Sequence, residues 1–215
     1  MEHLKGYSRE KLTIDLVSAN IIGIISIIPV ALIFGLPYYL IWQDQFTSSI
    51  VRDLLDGFSP RVVGSGALTI FALMIGGVVI HELIHGLTWA IYTSRGFRSI
   101  KFGILWKMLT PYCHCKEPLE VKQYITGAIA PGIVGGIFPA ITAIIIGSAG
   151  LLLFGIFFTM AAVGDIMIIR LLRNEKMDDL VMDHPSEAGC YIYRKINGET
   201  TLSQTAEEPG LVNTD

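Results

Sequence analysis

The sequence predicts an all-α polytopic membrane protein: four transmembrane helices, with a small cytoplasmic β-hairpin between the second and third spans. Three observations predict it. Of the 215 residues, 52% are hydrophobic and only 16% are charged, whereas soluble domains carry roughly a quarter charged residues. The apolar content is gathered into long runs free of Asp, Glu, Lys and Arg, one of 28 residues from Leu16 to Gln43 and one of 42 from Gln123 to Gly164. From Val62 to Ser94, Glu82 is the single residue of that kind. Third, the lysines and arginines collect between these runs. A spanning helix needs about 20 apolar residues, so the runs exceed ordinary core helices, and the longest must be two helices.

The spans are read over about 19–42, 66–92, 124–146 and 151–172, making residues 1–172 a membrane domain and 173–215 a cytoplasmic tail. The first apolar run is longer than a signal-peptide core, and no A-x-A-like site follows it, so a retained helix is expected. In 43–63, Ile50, Val51, Leu54, Leu55 and Phe58 stand at helical spacing. That suits a short helix on the outer interface or a plain loop. The segment 96–118 reads as two short strands around a turn, stopping at Pro118. In the third span Gly132 and Gly136 make a G-x-x-x-G spacing that allows close helix approach, and Pro131 and Pro139 imply kinks. "GSAG" at 147–150 is the turn into the fourth span. In the tail, "DDLVMDHPSEAGCYIYRKI" has the composition of a small folded piece, and "NGETTLSQTAEEPGLVNTD" that of a disordered end.

Positive charge sets the orientation. Lys5, Arg9 and Lys11 precede the first span. Arg95, Arg98, Lys101, Lys107, Lys116 and Lys122 lie between the second and third, and Arg170, Arg173 and Lys176 at or after the fourth. The 43–65 connection has only Arg52 and Arg61. Four spans put all three basic segments on one side, with both termini cytoplasmic. The net charge of −3 says little more, and with no basic patch to suggest one, no nucleic-acid partner is expected. Cys113, Cys115 and Cys190 all fall in cytoplasmic segments, where no structural disulfide is expected.

His81-Glu82-Leu83-Ile84-His85 lies inside the second span. Residues four apart share a helix face, so His81 and His85 can grip one metal ion, and Glu82 sits beside that face as a general base. By composition such a motif would occur about 0.005 times in this chain, which makes the match a signal. An ionisable group at the bilayer centre costs about 2.5–3.5 kcal/mol, so three of them in five residues need a partner. The bland alternative is a polar cluster joining helices. Catalytic zinc takes three protein ligands and keeps an open position. Asp165, the one acidic residue within the fourth span, is the expected third ligand; its alternative is an ion pair with Arg170. The competitor is "CHCKE", with Cys113, His114, Cys115 and Glu117, but strand alternation turns the thiols away from His114. His3 and His184 read as surface histidines.

Together, HELIHG (81–86), "FRSIKFGILWKMLTPYCHCKEPL", "GAIAPGIVGGIFPAI" (127–141) and "VGDIMI" (163–168) resemble a family of small bacterial membrane zincin peptidases. They also resemble the site-2 protease class of intramembrane zinc metalloproteases. In place of that class's D-G dipeptide, Asp165 here follows Gly164 and precedes Ile166. The resemblance implies one Zn²⁺ per chain on His81, His85 and Asp165, with Glu82 as catalytic base. It implies a bacterial cytoplasmic membrane protein whose partners are the bilayer and a membrane-protein or peptide substrate, cleaved near the cytoplasmic face. Tyr112, His114 and Lys116 are the candidates for oxyanion or substrate contact. The hairpin could receive an unwound substrate segment as an added strand. The rival readings are a non-catalytic scaffold or chaperone on a protease fold, and a metal transporter or sensor.

Overall fold

The computed structural model describes residues 6–46, 60–105, 110–185 and 187–196. Four helical segments dominate it, Val17–Ile41, Leu68–Ala90, Val121–Ile146 and Ala149–Leu171, each long and apolar enough to cross a membrane. They begin and end within a few residues of the expected spans. The proposed interface helix falls almost wholly on 47–59, and the polar end on 197–215; both lie outside the described residues, as does His3.

The first strand, β1 (Tyr7–Thr13), leads into α1 (Leu16–Ile25), whose start is capped by Asp15 accepting from the Ser18 N–H at 2.9 Å. A break at Ser26 separates α1 from α2 (Ile27–Ile41). The Ser26 hydroxyl donates to the Gly23 carbonyl there at 2.6 Å. The second segment belongs to α3 (Pro60–Ala90). Then come β2 (Ile100–Leu105) and β3 (Thr110–Cys115), paired antiparallel from Ile100 opposite Cys115 to Leu105 opposite Thr110. This is the hairpin expected between the second and third apolar helices. A short strand β4 (Leu119–Glu120) runs directly into α4 (Val121–Pro131), which opens with a capping box between Glu120 and Gln123.

Pro131 closes α4, and the next turns, Gly132–Ile137, widen to π geometry before α5 (Phe138–Ile146). The chain reverses at Gly147, in the left-handed region with φ 73°, a conformation glycine adopts without steric cost. The turn is shorter than expected: Ser148 already caps α6 (Ala149–Ala161). A second break at Ala162 precedes α7 (Val163–Leu171). Both glycines of the G-x-x-x-G spacing meet the fourth segment. A Cβ on Gly132 would lie 2.9 Å from the Ala162 Cβ, and one on Gly136 2.7 Å from the Thr159 backbone nitrogen. The two backbone irregularities therefore touch.

The folded piece after the last helix is β5 (Leu180–Asp183) and β6 (Gly189–Lys195). It does not stand alone. It joins β1 and β4 in one antiparallel sheet of order β1-β6-β5-β4. The reading of helices with one hairpin is thereby corrected: a four-stranded sheet accompanies them. It gathers the chain before the first helix, before the third and after the fourth at one end of the helix group. Its inner face, Val181, Cys190 and Ile192, packs with Trp89, Val121 and Leu172 in one core. At the other end Tyr38 is buried, its hydroxyl 2.9 Å from the Gly147 carbonyl. There the Trp42 indole donates to the Ile144 carbonyl at 2.9 Å. Between these ends the helix flanks are apolar and open, Ile24 being 70% and Ile145 72% exposed.

Candidate metal centre

The sheet-side end of α3 carries His81 and His85 one helical turn apart, both buried. The break at Ala162 starts α7 so that Asp165 faces them. Asp165 Oδ2 lies 3.2 Å from His81 Nε2, and Oδ1 3.3 Å from His85 Nε2. The three side chains could hold a metal ion, with all ligand atoms within 4.8 Å of one another. Zinc bonds of about 2.0–2.1 Å in a tetrahedron put ligand atoms about 3.3 Å apart. The two separations, each to a different oxygen of Asp165, lie close to that edge.

The hydrogen bonds around His85 give an independent test of fit. Its Nδ1 lies 2.8 Å from the Gly127 carbonyl. A carbonyl only accepts, so Nδ1 holds a proton and Nε2 turns toward Asp165. A bare Nε2 and a carboxylate oxygen both bring lone pairs, so a cation or a second proton must sit between them. A zinc ligand histidine is oriented in this way, its outer nitrogen donating to a carbonyl. The ring is also stacked on Trp89, centroids 5.1 Å apart, and Trp89 on Tyr124 at 5.1 Å. The Trp89 indole donates to the Tyr124 carbonyl at 3.0 Å. His81 is held differently. Its Nδ1 is buried and has no partner among the described residues. The donor set of two imidazoles and one carboxylate fits zinc.

Glu82 does not join the three ligand groups. It lines a cavity of about 470 Å³ together with His85 and Asp165, and the Cys113 backbone N–H is directed at its carboxylate. Gly86, one turn further along α3, lets the hairpin approach: a Cβ there would lie 2.7 Å from the Phe102 ring and 3.3 Å from Cys113 Sγ. Tyr112 and His114 line the same cavity, whereas Lys116 is exposed and outside its lining. Asn20 and Gly23 of α1 form part of the facing wall.

Asp165 takes the two histidines, and no contact joins it to Arg170, which is exposed. The "CHCKE" residues gather no ligand set of their own. Glu117 instead ties down the 94–99 turn, accepting from the Ser94 N–H at 2.8 Å, Arg95 Nε at 2.8 Å and the Ser99 hydroxyl at 2.5 Å. The Arg95 and Ser99 bonds hold its carboxyl down at about 2. All three cysteines are free. Burial pushes the Cys113 thiol up, Cys115 to about 11 and Cys190 to about 12. They stay protonated at neutral pH, which disfavours a nucleophilic role.

Two residues of the last strands were misjudged or missed. His184, read as a surface histidine, has a side chain only 7% exposed and lines the cavity. Its Nδ1 accepts from the Glu187 N–H at 2.9 Å. Asp183 is buried. It accepts from the Tyr124 hydroxyl at 2.6 Å and from the Cys115 N–H at 2.7 Å. Burial raises its carboxyl above the ordinary range despite those two donors. Its only sequence signal was its place in a folded piece.

A His-Glu-x-x-His pair on an apolar helix, completed by a carboxylate from a later helix, defines the zincin type of metallopeptidase centre. Residues 74–180, about half of the chain, match the family described as "Putative zincin peptidase", which supports a zincin-like metallopeptidase and implies zinc. No match is found among curated proteins or among solved structures.

Proposed function

We propose that the protein is an intramembrane zinc metalloprotease of the site-2 protease type. It hydrolyses peptide bonds of membrane-embedded or membrane-proximal substrates near the cytoplasmic face. The observation that carries this reading is the convergence of His81, His85 and Asp165 beside a cavity that His85, Asp165 and Glu82 line. The open apolar helix flanks favour lipid contact. Chain segments before the first helix, before the third and after the fourth share one sheet. Four crossings require that, and it agrees with a cytoplasmic side marked by the basic segments.

His81, His85 and Asp165 would hold the zinc, which supplies Lewis acidity toward the scissile carbonyl and toward water. The remaining work falls to the chain's own groups. Glu82, steadied by the Cys113 N–H, takes a proton from the attacking water and returns it to the leaving amine nitrogen. Gly127 and Trp89 keep the His85 ring in its orientation. Tyr112 and His114 border the cavity where an oxyanion would develop. The polar wall near His114 and Asp183 offers water a way in.

Metal content in detergent-purified protein is the first test. The expected result is about one zinc per chain, lost in His81→Ala/His85→Ala and weakened in Asp165→Ala. Glu82→Gln should keep its zinc and lose cleavage of a model membrane substrate at least 100-fold, the upper range for a general base being about 10⁴. A parent without stoichiometric metal would sink the proposal. A Glu82→Gln variant that cleaves like the parent would move the protein to a transporter, sensor or scaffold.

A further inference from the structure

Cys113 and Cys115 stand two apart on β3, so their N–H groups point to the same side of the strand, a backbone period of two. Each is met by a carboxylate. The Cys113 N–H is directed at the Glu82 carboxylate on α3, and Cys115 donates to Asp183 at the end of β5, at 2.7 Å. The other oxygen of Asp183 takes the Tyr124 hydroxyl at 2.6 Å. Tyr124 in turn stacks on Trp89, and Trp89 on His85. One buried carboxylate therefore reaches both halves of the site: through β3 to Glu82, and through the aromatic stack to His85. It lies beyond the 74–180 segment that matches the zincin family.

We propose that Asp183 is a positioning residue: it pins β3 at Cys115 and α4 at Tyr124, and so fixes where the Cys113 N–H meets Glu82. Its bonds go to Cys115 and Tyr124 and not to His81, Glu82, His85 or Asp165, and its role is geometric. An isosteric amide can reproduce it, since the Asn oxygen accepts from the Cys115 N–H while its NH₂ donates to the Tyr124 hydroxyl. Alanine leaves both groups buried without a partner. The role rests on the proposed peptidase activity, but one of its consequences does not: the β3 amides should loosen whether or not the chain cleaves anything.

The test compares full-length parent, Asp183→Asn, Asp183→Ala and Tyr124→Phe in detergent. Three quantities are read: zinc content, amide hydrogen exchange at 113–115, and kcat and KM on one membrane substrate. Alanine should exchange at least tenfold faster at Cys113 and Cys115. It should lower kcat at least tenfold with KM and zinc within twofold of the parent. Asparagine should match the parent within threefold on every readout. Tyr124→Phe keeps the Cys115 bond and should fall between them. Unchanged exchange in the alanine variant would overturn the inference, and so would an asparagine variant as impaired as alanine. Should alanine fail to fold, asparagine and phenylalanine decide: a parent-like asparagine beside a phenylalanine variant with raised exchange and lowered kcat supports the pin, and asparagine as impaired as phenylalanine, or neither impaired, refutes it. A parent without zinc or Glu82-dependent cleavage would defeat the peptidase reading alone, leaving hydrogen exchange to judge Asp183.

Discussion

His85 is one residue with four constraints, and each is visible in a different partner. Asp165 faces its Nε2, Gly127 takes its Nδ1 proton, and Trp89 covers its face. The helix supplies the fourth, the one-turn offset from His81. Gly127 is the sensitive point. A Cβ there would lie 2.1 Å from Trp89 Nε1, so the ring must leave its seat. Gly127→Ala should cost about 1–3 kcal/mol by overpacking and weaken zinc binding, read by thermal unfolding with and without chelator. His81, Glu82 and His85 were legible as a candidate centre in five consecutive residues, because a helix brings positions four apart together without help from the rest of the fold. Asp165 was legible because a lone carboxylate in an apolar run needs a cation. Asp183 was not, because an acidic residue in a polar tail needs no explanation until the fold buries it.

At the level of elements, the hairpin does most to shape the site. It sits against Gly86 and delivers the Cys113 N–H to Glu82. Its root is fastened by Glu117, whose side chain binds the 94–99 turn. The folded carboxyl is lowered from its ordinary 4.5 to about 2. A depressed carboxylate stabilises the folded state above its unfolded value, and the gain is lost as pH falls through the folded one. Parent and Glu117→Gln should therefore differ in unfolding midpoint above about pH 4.5 and converge toward pH 2, as melting curves across that range would reveal. The strands of the hairpin were readable from composition, and so were the kinks after Pro131. The break at Ala162 was not. No proline marks it, Gly164 lies just past it, and it follows from contact with the widened turns at Gly132.

The whole molecule is a helix group closed at one end by a sheet made of distant parts. β1 pairs with β6 from Tyr7 opposite Lys195 to Thr13 opposite Gly189. Lys11 reaches Glu187 at 3.0 Å and Glu10 reaches Arg194 at 2.6 Å. This sheet escaped the sequence reading because β1 is short and polar, and its partner is far along the chain. A chain beginning at Ile14 should expose the β6 edge, melt several degrees lower and self-associate. Size-exclusion profiles and melting curves in detergent would test that. The same pairing bears on biogenesis. Thr13 waits for Gly189, 176 positions later, which at about 5–20 residues per second is on the order of ten to thirty-five seconds of translation. Asp165 and Asp183 also emerge in the last quarter of the chain. On the proposed function, a nascent chain would carry His81, Glu82 and His85 into the bilayer long before Asp165 completes the centre, and the order of synthesis would act as a safety interlock against cutting neighbours at the insertion machinery.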